Sequence, residues 1–469
     1  MMKLKNIALT LSLLFSVNSL YANENSCYLA GGTYNDGVCH FGGDLHSVSF
    51  DFPNNIDSTN DYEFRGPNNN NTPLFVPVAD KESDQVTVSG MFSTNMLFSG
   101  GDYDRSTVFD YISTNGGSAI FNFIPELRIL GGNGYDSPAI RYAAYGQGSQ
   151  AYLDSSEYFE LSGGTGEESS AIYSLAANGG EAVIIASGDS KNPSQFNGGS
   201  NTNSSGIEIV AQGTGSFATI EVQGASIFMG GAVDSAPAIK YVSKEGGNTY
   251  IKLYGEDGDH YFRGSIADAV YIGADGSGSV VTIDNNGIVT FIGSNDSYSN
   301  NQGYAIYMGA AHGGKFTLNN YKTIKFNGGS SKEAVYTFAD NSTAELINTE
   351  SSQISFIGNE KSAVYSLSSG EGVTSINNEK DAVIEIIGGS FSQPTLRYGS
   401  SGTNAKTEIF NNGNILVKGG NGNRAYGIDN AASLATSQFI VENYSDANFT
   451  IQAGSGNNSS GINFLTDGG

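Results

Sequence analysis

Residues 305 to 329 are AIYMGAAHGGKFTLNNYKTIKFNGG, a stretch with three short apolar segments separated by turns rich in Gly and Asn. The segments begin at Ala305, Phe316 and Ile324. None of them carries apolar residues at helical spacing, so each is predicted to be a strand. The third segment ends in the pair Gly328-Gly329, which predicts a turn.

The turn glycine recurs along most of the chain, at intervals of 29 to 35 residues. The positions are Gly66, Gly100, Gly131, Gly163, Gly198, Gly230, Gly264, Gly293, Gly328, Gly358, Gly388 and Gly419, followed by Ala453. The first segment recurs with the same period as a small residue followed by Ile, Val or Leu. Self-similarity at this spacing predicts a repeat architecture.

Three short strands per repeat favour a β-helix. Corner glycines accommodate positive φ, so the strands of one repeat can close into a coil and pair in parallel with the coils above and below. The sequence therefore predicts an all-β fold, a right-handed parallel β-helix with three strands and about 32 residues per coil. A propeller blade needs four strands and about 40 to 45 residues, and a leucine-rich repeat spans about 20 to 29 residues, so both fit poorly.

The N-terminal end of the chain falls outside the regular repeats, and the C-terminal end lies within one. Lys3 and Lys5 precede an apolar run over residues 7–17, which predicts a secretory signal peptide over residues 1–22. No later stretch resembles a membrane-spanning helix. Residues 44–469 are predicted to form the β-helix, and the chain stops after the first strand of a coil. An uncapped coil exposes strand edges and interior to water, so we expect further coils beyond residue 469.

The segment over residues 23–43 contains the only cysteines, Cys27 and Cys39, with eleven residues between them. In an exported protein this spacing predicts a disulfide loop that precedes or caps the first coil. A metal site would need more ligands than His40 adds, so no metal or cofactor is expected. The formal charge of −25 makes nucleic acid an unsuitable partner.

The chain resembles the passenger domains of bacterial autotransporters in four features. These are a signal peptide, an acidic Gly- and Asn-rich body, few cysteines and three-strand units ending in Gly-Gly. The similarity is one of pattern and extends over residues 40–469. It implies export through the inner membrane, passage across the outer membrane by a C-terminal translocator barrel, and display or release outside the cell. That barrel is absent from these 469 residues. Passengers of this family include adhesins, toxins and proteases.

Catalytic constellations are sparse in the sequence. No adjacent Asp-Asp pair occurs, and the densest acidic patch is Glu256, Asp257 and Asp259 beside His260 and Arg263. This patch lies in a turn-rich stretch and is predicted to be a solvated loop rather than a catalytic or calcium site. We therefore expect no enzymatic activity and no catalytic residues.

Two short strings resemble known motifs and depart from them. Gly188-Asp189-Ser190 resembles the serine-protease motif of some autotransporters, but Lys191 follows where that motif has Gly. Residues 131–136, GGNGYD, match part of a calcium-binding nonapeptide that normally occurs in tandem, and here the copy is single. The favoured interpretation of residues 131–136 is a polar corner of a coil.

The most distinctive surface signal follows the recurring Ile, Val or Leu of the first strand. If that residue points inward, its successor points outward. The successors are Arg141, Tyr173, Glu208, Lys240, Tyr271, Tyr307, Tyr336, Tyr365, Arg397 and Asp429. The four consecutive tyrosines predict an exposed stacked ladder, with Lys240 and Arg397 at its ends as cation–π partners. The ladder either binds a sugar or protein or serves only to hold the coils in register.

These observations favour a non-enzymatic passenger, secreted or displayed at the outer membrane, that acts in adhesion or host interaction. The expected partner is a host-cell surface protein or glycan, bound at Tyr271, Tyr307, Tyr336, Tyr365 and Arg397. A toxin-like passenger and a polysaccharide-degrading β-helix enzyme remain as alternatives. Toxins of this type carry an apolar N-terminal segment, which residues 23–60 do not contain.

Overall fold

The structure is a computed structural model, which describes residues 20–21, 33–35, 38–41, 48–51, 62–65, 73, 75–82, 85–91, 96–124, 127–155, 158–232, 236–266, 268–294, 303–330, 332–432 and 437–466. Over these residues it is all-β, with strands, turns and bends and no helix. The strands form a parallel solenoid with about 32 residues per turn. This confirms the predicted fold class. Consistent with that, the described part contains no helix long and apolar enough to cross a bilayer.

Each regular coil contributes one strand to each of three faces. The first face contains Val38–Phe41, Phe75–Ala79, Phe109–Thr114, Ile140–Tyr145, Ile172–Ala177, Ile207–Gln212, Ile239–Lys244, Val270–Asp275, Ile306–Ala311, Val335–Asp340, Val364–Ser369, Leu396–Ser401, Ile428–Ala432 and Ile462–Thr466. The second contains Val48–Asp51, Gln85–Met91, Ser118–Ile124, Gln150–Ser155, Glu181–Gly188, Phe217–Gly224, Lys315–Asn320, Thr343–Asn348, Val373–Asn378, Lys406–Asn411 and Gln438–Asn443. The third contains Leu20–Tyr21, Tyr62–Arg65, Met96–Ser99, Leu127–Leu130, Phe159–Ser162, Ser194–Asn197, Ser226–Met229, Thr323–Asn327, Gln353–Ile357, Val383–Ile387, Asn414–Lys418 and Asn448–Gln452.

Two coils depart from this plan. The strands Asn248–Arg263 and Val280–Ile292 run from the second face into the third without a break. Near the N-terminus, Thr33–Asn35 forms an antiparallel hairpin with Val38–Phe41, which in turn pairs with Phe75–Ala79. Cys27 lies outside the described residues, so the predicted disulfide with Cys39 and the domain boundaries in this region stay predictions.

The first face confirms the inward position predicted from the sequence. Ile306 pairs in register with Val335, and Val335 with Val364. The side chains at this position are at most 2% exposed in Ile140, Ile172, Ile207, Ile239, Val270, Ile306, Val335, Val364, Leu396 and Ile428. Because the period of a strand is two, every following residue is directed outward.

Phenylalanines fill the interior behind the third face. Phe196, Phe228, Phe262, Phe291, Phe326 and Phe356 stack in successive coils, with ring centroids 4.6 to 5.1 Å apart. This separation is close to the spacing between neighbouring strands, about 4.8 Å. Offset stacking of buried rings adds about 0.5–1.5 kcal/mol per pair to the burial itself. The stack therefore stabilises one register of the coils.

The recurring corner glycines are required for a different reason from the one predicted. None of those in the described residues has a positive φ. Instead, a Cβ at Gly131 would lie 2.5 Å from the backbone N of Gly164, and one at Gly163 would lie 2.5 Å from the backbone N of Gly199. The glycines thus permit close contact between the backbones of successive coils, and Gly66 lies outside the described residues. Positive φ values occur at other corners, for example at Gly146 and Gly179.

An asparagine ladder runs through the corner between the second and third faces, which we call the second corner. Each member ends the second-face segment of its coil, and the side-chain Nδ2 of every member but the last donates a hydrogen bond to Oδ1 of the asparagine in the next coil, at 2.6 to 2.8 Å. The members are Asn285, Asn320, Asn348, Asn378, Asn411 and Asn443. Asn285, Asn320, Asn348 and Asn411 are fully buried. The amides also bond to corner carbonyls, such as the Asn348 amide to Val383 O at 3.1 Å. Buried polar groups at this corner are satisfied by the ladder.

Candidate functional site

The predicted tyrosine ladder lies on the outer side of the first face, and its side chains are half-buried rather than exposed. We call Tyr271, Tyr307, Tyr336 and Tyr365 the tyrosine row. The ring of Tyr307 stacks on that of Tyr271 at 4.9 Å and 5° between planes, and on that of Tyr336 at 5.3 Å and 13°. The three rings stack so that both faces of the Tyr307 ring are covered. They present their edges and hydroxyls to solvent.

The strand beneath the row allows the rings to lie close to the sheet. A Cβ at Gly309 would meet Cε1 of Tyr307 at 3.0 Å, so the ring occupies the space above that glycine. Burial, together with the neighbouring phenols, raises the pKa of Tyr307 to about 12. The Tyr307 hydroxyl is thus protonated at neutral pH and able to donate a hydrogen bond.

The two ends of the row differ from each other and from the prediction. Tyr365 is turned by 85° relative to Tyr336, so the stack changes to an edge contact at 5.3 Å. The Arg397 guanidinium lies over the Tyr365 ring at 4.9 Å from its centroid, which is the predicted cation–π geometry. At the other end, Lys240 Nζ lies 2.9 Å from Oε1 of Glu208 in an ion pair. Lys240 is therefore paired with a carboxylate of the preceding coil and forms no cation–π contact with the tyrosine row among the described residues.

Tyr304 was missed by the sequence analysis, although its ring joins the row. Its centroid is 5.2 Å from that of Tyr336, and Lys332 Nζ lies 5.4 Å from it on a cation–π contact. The backbone N–H of Tyr304 donates to Oδ1 of Asp268 at 2.8 Å, and burial raises the pKa of Asp268 to about 6. Tyr304 lies in a corner, where the two-residue period of the strand gives no signal.

A second row on the same face is apolar over ten consecutive coils. These residues lie two positions after the row that contains the tyrosines, and we call them the apolar row. Its members are Ile112, Ala143, Leu175, Val210, Val242, Gly273, Gly309, Phe338, Leu367 and Gly399. All side chains larger than Ala are half-buried. The next outward position is mostly polar, as in Gln212, Lys244, Asp275 and Asp340.

Charges on the outer side of the first face are paired between coils. Arg141 forms two hydrogen bonds to the carboxylate of Asp110, at 2.9 and 2.6 Å. Asp136, in the GGNGYD string, lies 3.4 Å from Nε of Arg105 and 3.7 Å from Nη1 of Arg141. This carboxylate therefore faces two arginines, consistent with a polar corner. No group of three or more His, Cys, Asp and Glu placed to hold a metal ion occurs among the described residues.

The stretch that carries the acidic patch around His260 is a strand rather than the predicted loop, although Asp259 is exposed as predicted. Residues 248–263 form one strand, with an irregularity in register between Tyr254 and Asp259. His260 is fully buried, and its Nε2 lies 2.8 Å from the carbonyl O of Tyr254. Burial lowers the pKa of His260. At the serine-protease-like string, Oδ1 of Asp189 accepts the backbone N–H groups of Lys191 and Asn192, both at 2.7 Å, in a turn.

Burial of His260 predicts a loss of stability in acid. The neutral imidazole is favoured in the folded chain, so stability is full above the unfolded pKa of about 6.5 and falls as pH decreases towards the lower folded value. Val289 occupies the paired position in the next coil. We expect the variant His260→Val to lose this part of the pH dependence. Thermal unfolding of both proteins between about pH 7.5 and 5 measures it, and parallel curves would contradict the prediction.

Comparisons with known proteins give a likeness to solved structures but no family. No model of a protein family matches the chain, and no curated protein is similar to it. Among solved structures, the chain is similar to a crystal structure of a TibC-catalysed, hyper-glycosylated TibA fragment, with 9% sequence identity and a TM-score of 0.30. The likeness covers 87% of this chain and 97% of the TibA fragment. At this level it supports no conclusion about function.

Proposed function

We propose that this chain is a non-enzymatic, autotransporter-like passenger, secreted or displayed at the cell surface, which acts in adhesion by binding a host-cell surface protein along the first face. The observation that carries the proposal is the apolar row, which has no polar side chain over ten consecutive coils. At about 4.8 Å per coil, the row is about 45 Å long. Partly exposed apolar side chains that recur in this way suit an interaction site.

The chemistry of the first face fits a protein partner. A central apolar row with a polar rim is the usual anatomy of a protein interface. The tyrosine row adds hydroxyls and ring edges, and tyrosine is enriched among the residues that contribute most to binding. A sugar would instead need free ring faces, and both faces of the central ring, Tyr307, are stacked on neighbouring rings.

The test replaces two central members of the tyrosine row. We expect the double variant Tyr307→Ser, Tyr336→Ser to bind cultured epithelial cells at least about tenfold more weakly, a loss of about 1.4 kcal/mol or more. Binding of the fluorescently labelled chain is measured by flow cytometry, with and without protease treatment of the cells. A matched control is Tyr152→Ser, Tyr250→Ser, which changes two half-buried tyrosines on the outer side of the second face.

Loss of stacking is a separate effect that the design must exclude. The variant Val242→Lys places a charge in the apolar row without touching a ring stack, and we expect it to weaken binding similarly. The proposal is contradicted if both variants retain the wild-type circular dichroism and bind cells as the wild type does. Binding that survives protease treatment of the cells would contradict the protein partner.

A further inference from the structure

An open cleft of about 390 Å³ lies at the second corner, between coils that span residues 343–452. Its walls are Glu379 and Lys380 on one side and Tyr444 on the other, and Phe410 and Asn412 lie between them. The cleft lies at the corner between the second and third faces, and no first-face strand lines it. It is thus separate from the proposed adhesive surface.

Differences in corner length produce the cleft. After the ladder residue, the second corner has four residues in the coils of Asn378 and Asn443, namely 379–382 and 444–447. In the coil between them, only Asn412 and Gly413 separate the two strands. A Cβ at Gly413 would lie 2.3 Å from Ala382 O, so this short corner is held close to the core. A short corner between two longer corners, which extend further from the core, leaves the cleft.

The cleft combines aromatic rings with polar groups whose hydrogen-bonding capacity is not fully used. Phe410 is half-buried and Tyr444 is exposed, and neither ring stacks on another aromatic ring within the described residues. This differs from the tyrosine row, where both faces of the Tyr307 ring are covered. The Asn412 side chain forms no hydrogen bond in the described part of the chain. The Glu379 carboxylate accepts the backbone N–H of Glu350 at 3.0 Å through Oε2, which leaves Oε1 free.

We propose that this cleft binds a neutral hexose unit of a glycan. Apolar faces of a sugar ring pack on aromatic rings, while carboxamide, carboxylate and ammonium groups offer both acceptors and donors to its hydroxyls. The volume falls within the usual range of small-molecule sites, about 300–1,000 Å³. Glu350 and Glu379 against the single Lys380 disfavour an anionic sugar by like-charge repulsion.

The chain offers a matched pair of tyrosines for the test. Tyr321 follows ladder residue Asn320 as Tyr444 follows Asn443, and Tyr321 is also exposed, but it does not line the cleft. Saturation-transfer NMR and titration calorimetry with lactose, maltose and cellobiose, at up to about 10 mM, measure binding in a range usual for weak small ligands. We expect at least one of these sugars to bind, and Tyr444→Ala to weaken it at least about tenfold. Tyr321→Ala should leave the affinity unchanged.

A second variant fills the cleft without disturbing the corner. Asn412 occupies the position that Tyr321 has in the two-residue corner after Asn320, so Asn412→Tyr is compatible with the backbone and should abolish sugar binding. The proposal is overturned if none of the three sugars binds, if Tyr444→Ala and Tyr321→Ala have equal effects, or if only a sulfated disaccharide binds. Cell binding through the first face is independent of each of these outcomes.

Discussion

The variant Gly163→Ala is expected to destabilise the coils on both sides of it by about 3 kcal/mol or more. A Cβ at this position would lie 2.3 Å from Ser169 O and 2.5 Å from the backbone N of Gly199. Both contacts are with backbone atoms that are already held by hydrogen bonds, Gly164 N to Ser169 O at 2.9 Å and Gly199 N to Ser204 O at 2.8 Å. No side-chain rotation can relieve the overlap, so two coils would have to separate.

Gly273, which lies on the first face rather than in a corner, controls for the loss of glycine itself. Gly273 also lacks a positive φ, and the nearest atom to a Cβ there is Cε1 of Tyr271 at 3.7 Å, an ordinary contact. We expect Gly273→Ala to be neutral or to stabilise the chain by up to about 1 kcal/mol. Thermal unfolding gives the overall effect, and hydrogen exchange shows whether protection is lost locally around residues 163–204. Equal melting temperatures for the two variants would contradict the packing explanation.

The sequence contains enough to predict the solenoid because its signals repeat. Ile306, Val335 and Val364 each follow a small residue at the start of a unit, and the period of strands then fixes which neighbours point inward. The asparagine ladder has an equally regular signal, since Asn320, Asn348 and Asn378 each end a second strand. The sequence does not reveal the ladder, because an asparagine at the end of a strand equally predicts a turn.

The glycine period was detected correctly but explained wrongly. A glycine in a corner is compatible both with positive φ and with close backbone contact, and the sequence alone does not distinguish them. The distinction depends on what the next coil places opposite the glycine. At Gly131 that is the backbone N of Gly164, the second glycine of the following pair. Pairs of glycines in successive coils are therefore a signal of backbone contact that sequence reasoning can use.

For the candidate sites, position was predictable and accessibility was not. Alternation placed Tyr307 and Tyr336 on the outer side of the first face, but the stacking that covers the ring faces depends on rotamers. Tyr365 adopts a different orientation from its neighbours beside Arg397. The cleft beside Tyr444 depends on differences in length between three corners, which become visible only after the ladder has aligned the coils.

The variant Asn348→Ala is expected to lower the free energy of unfolding by about 3–5 kcal/mol. The Asn348 side chain is fully buried and bonds to both neighbouring coils. Its Oδ1 accepts from Nδ2 of Asn320 at 2.8 Å, and its Nδ2 donates to Oδ1 of Asn378 at 2.8 Å. Alanine would leave the Asn378 oxygen without this donor in a site closed to water. An unsatisfied buried acceptor costs more than the net contribution of the hydrogen bond that it lost.

Two further asparagine variants separate the ladder from a general effect of losing an amide. Asn319 precedes ladder residue Asn320 but points outward, where its amide donates to Oδ1 of Asp284 at 2.8 Å. Because water can replace that bond, Asn319→Ala should cost no more than about 1 kcal/mol. Asn348→Asp keeps the shape of the side chain but, when ionised, places a second acceptor opposite Oδ1 of Asn378. The stability of this variant should therefore recover in acid, because the new carboxyl gains a proton that it can donate. Urea unfolding at about pH 4.5 and 7.5 tests this, and a loss in Asn348→Asp that does not change with pH would show that ladder hydrogen bonds do not hold the coils together.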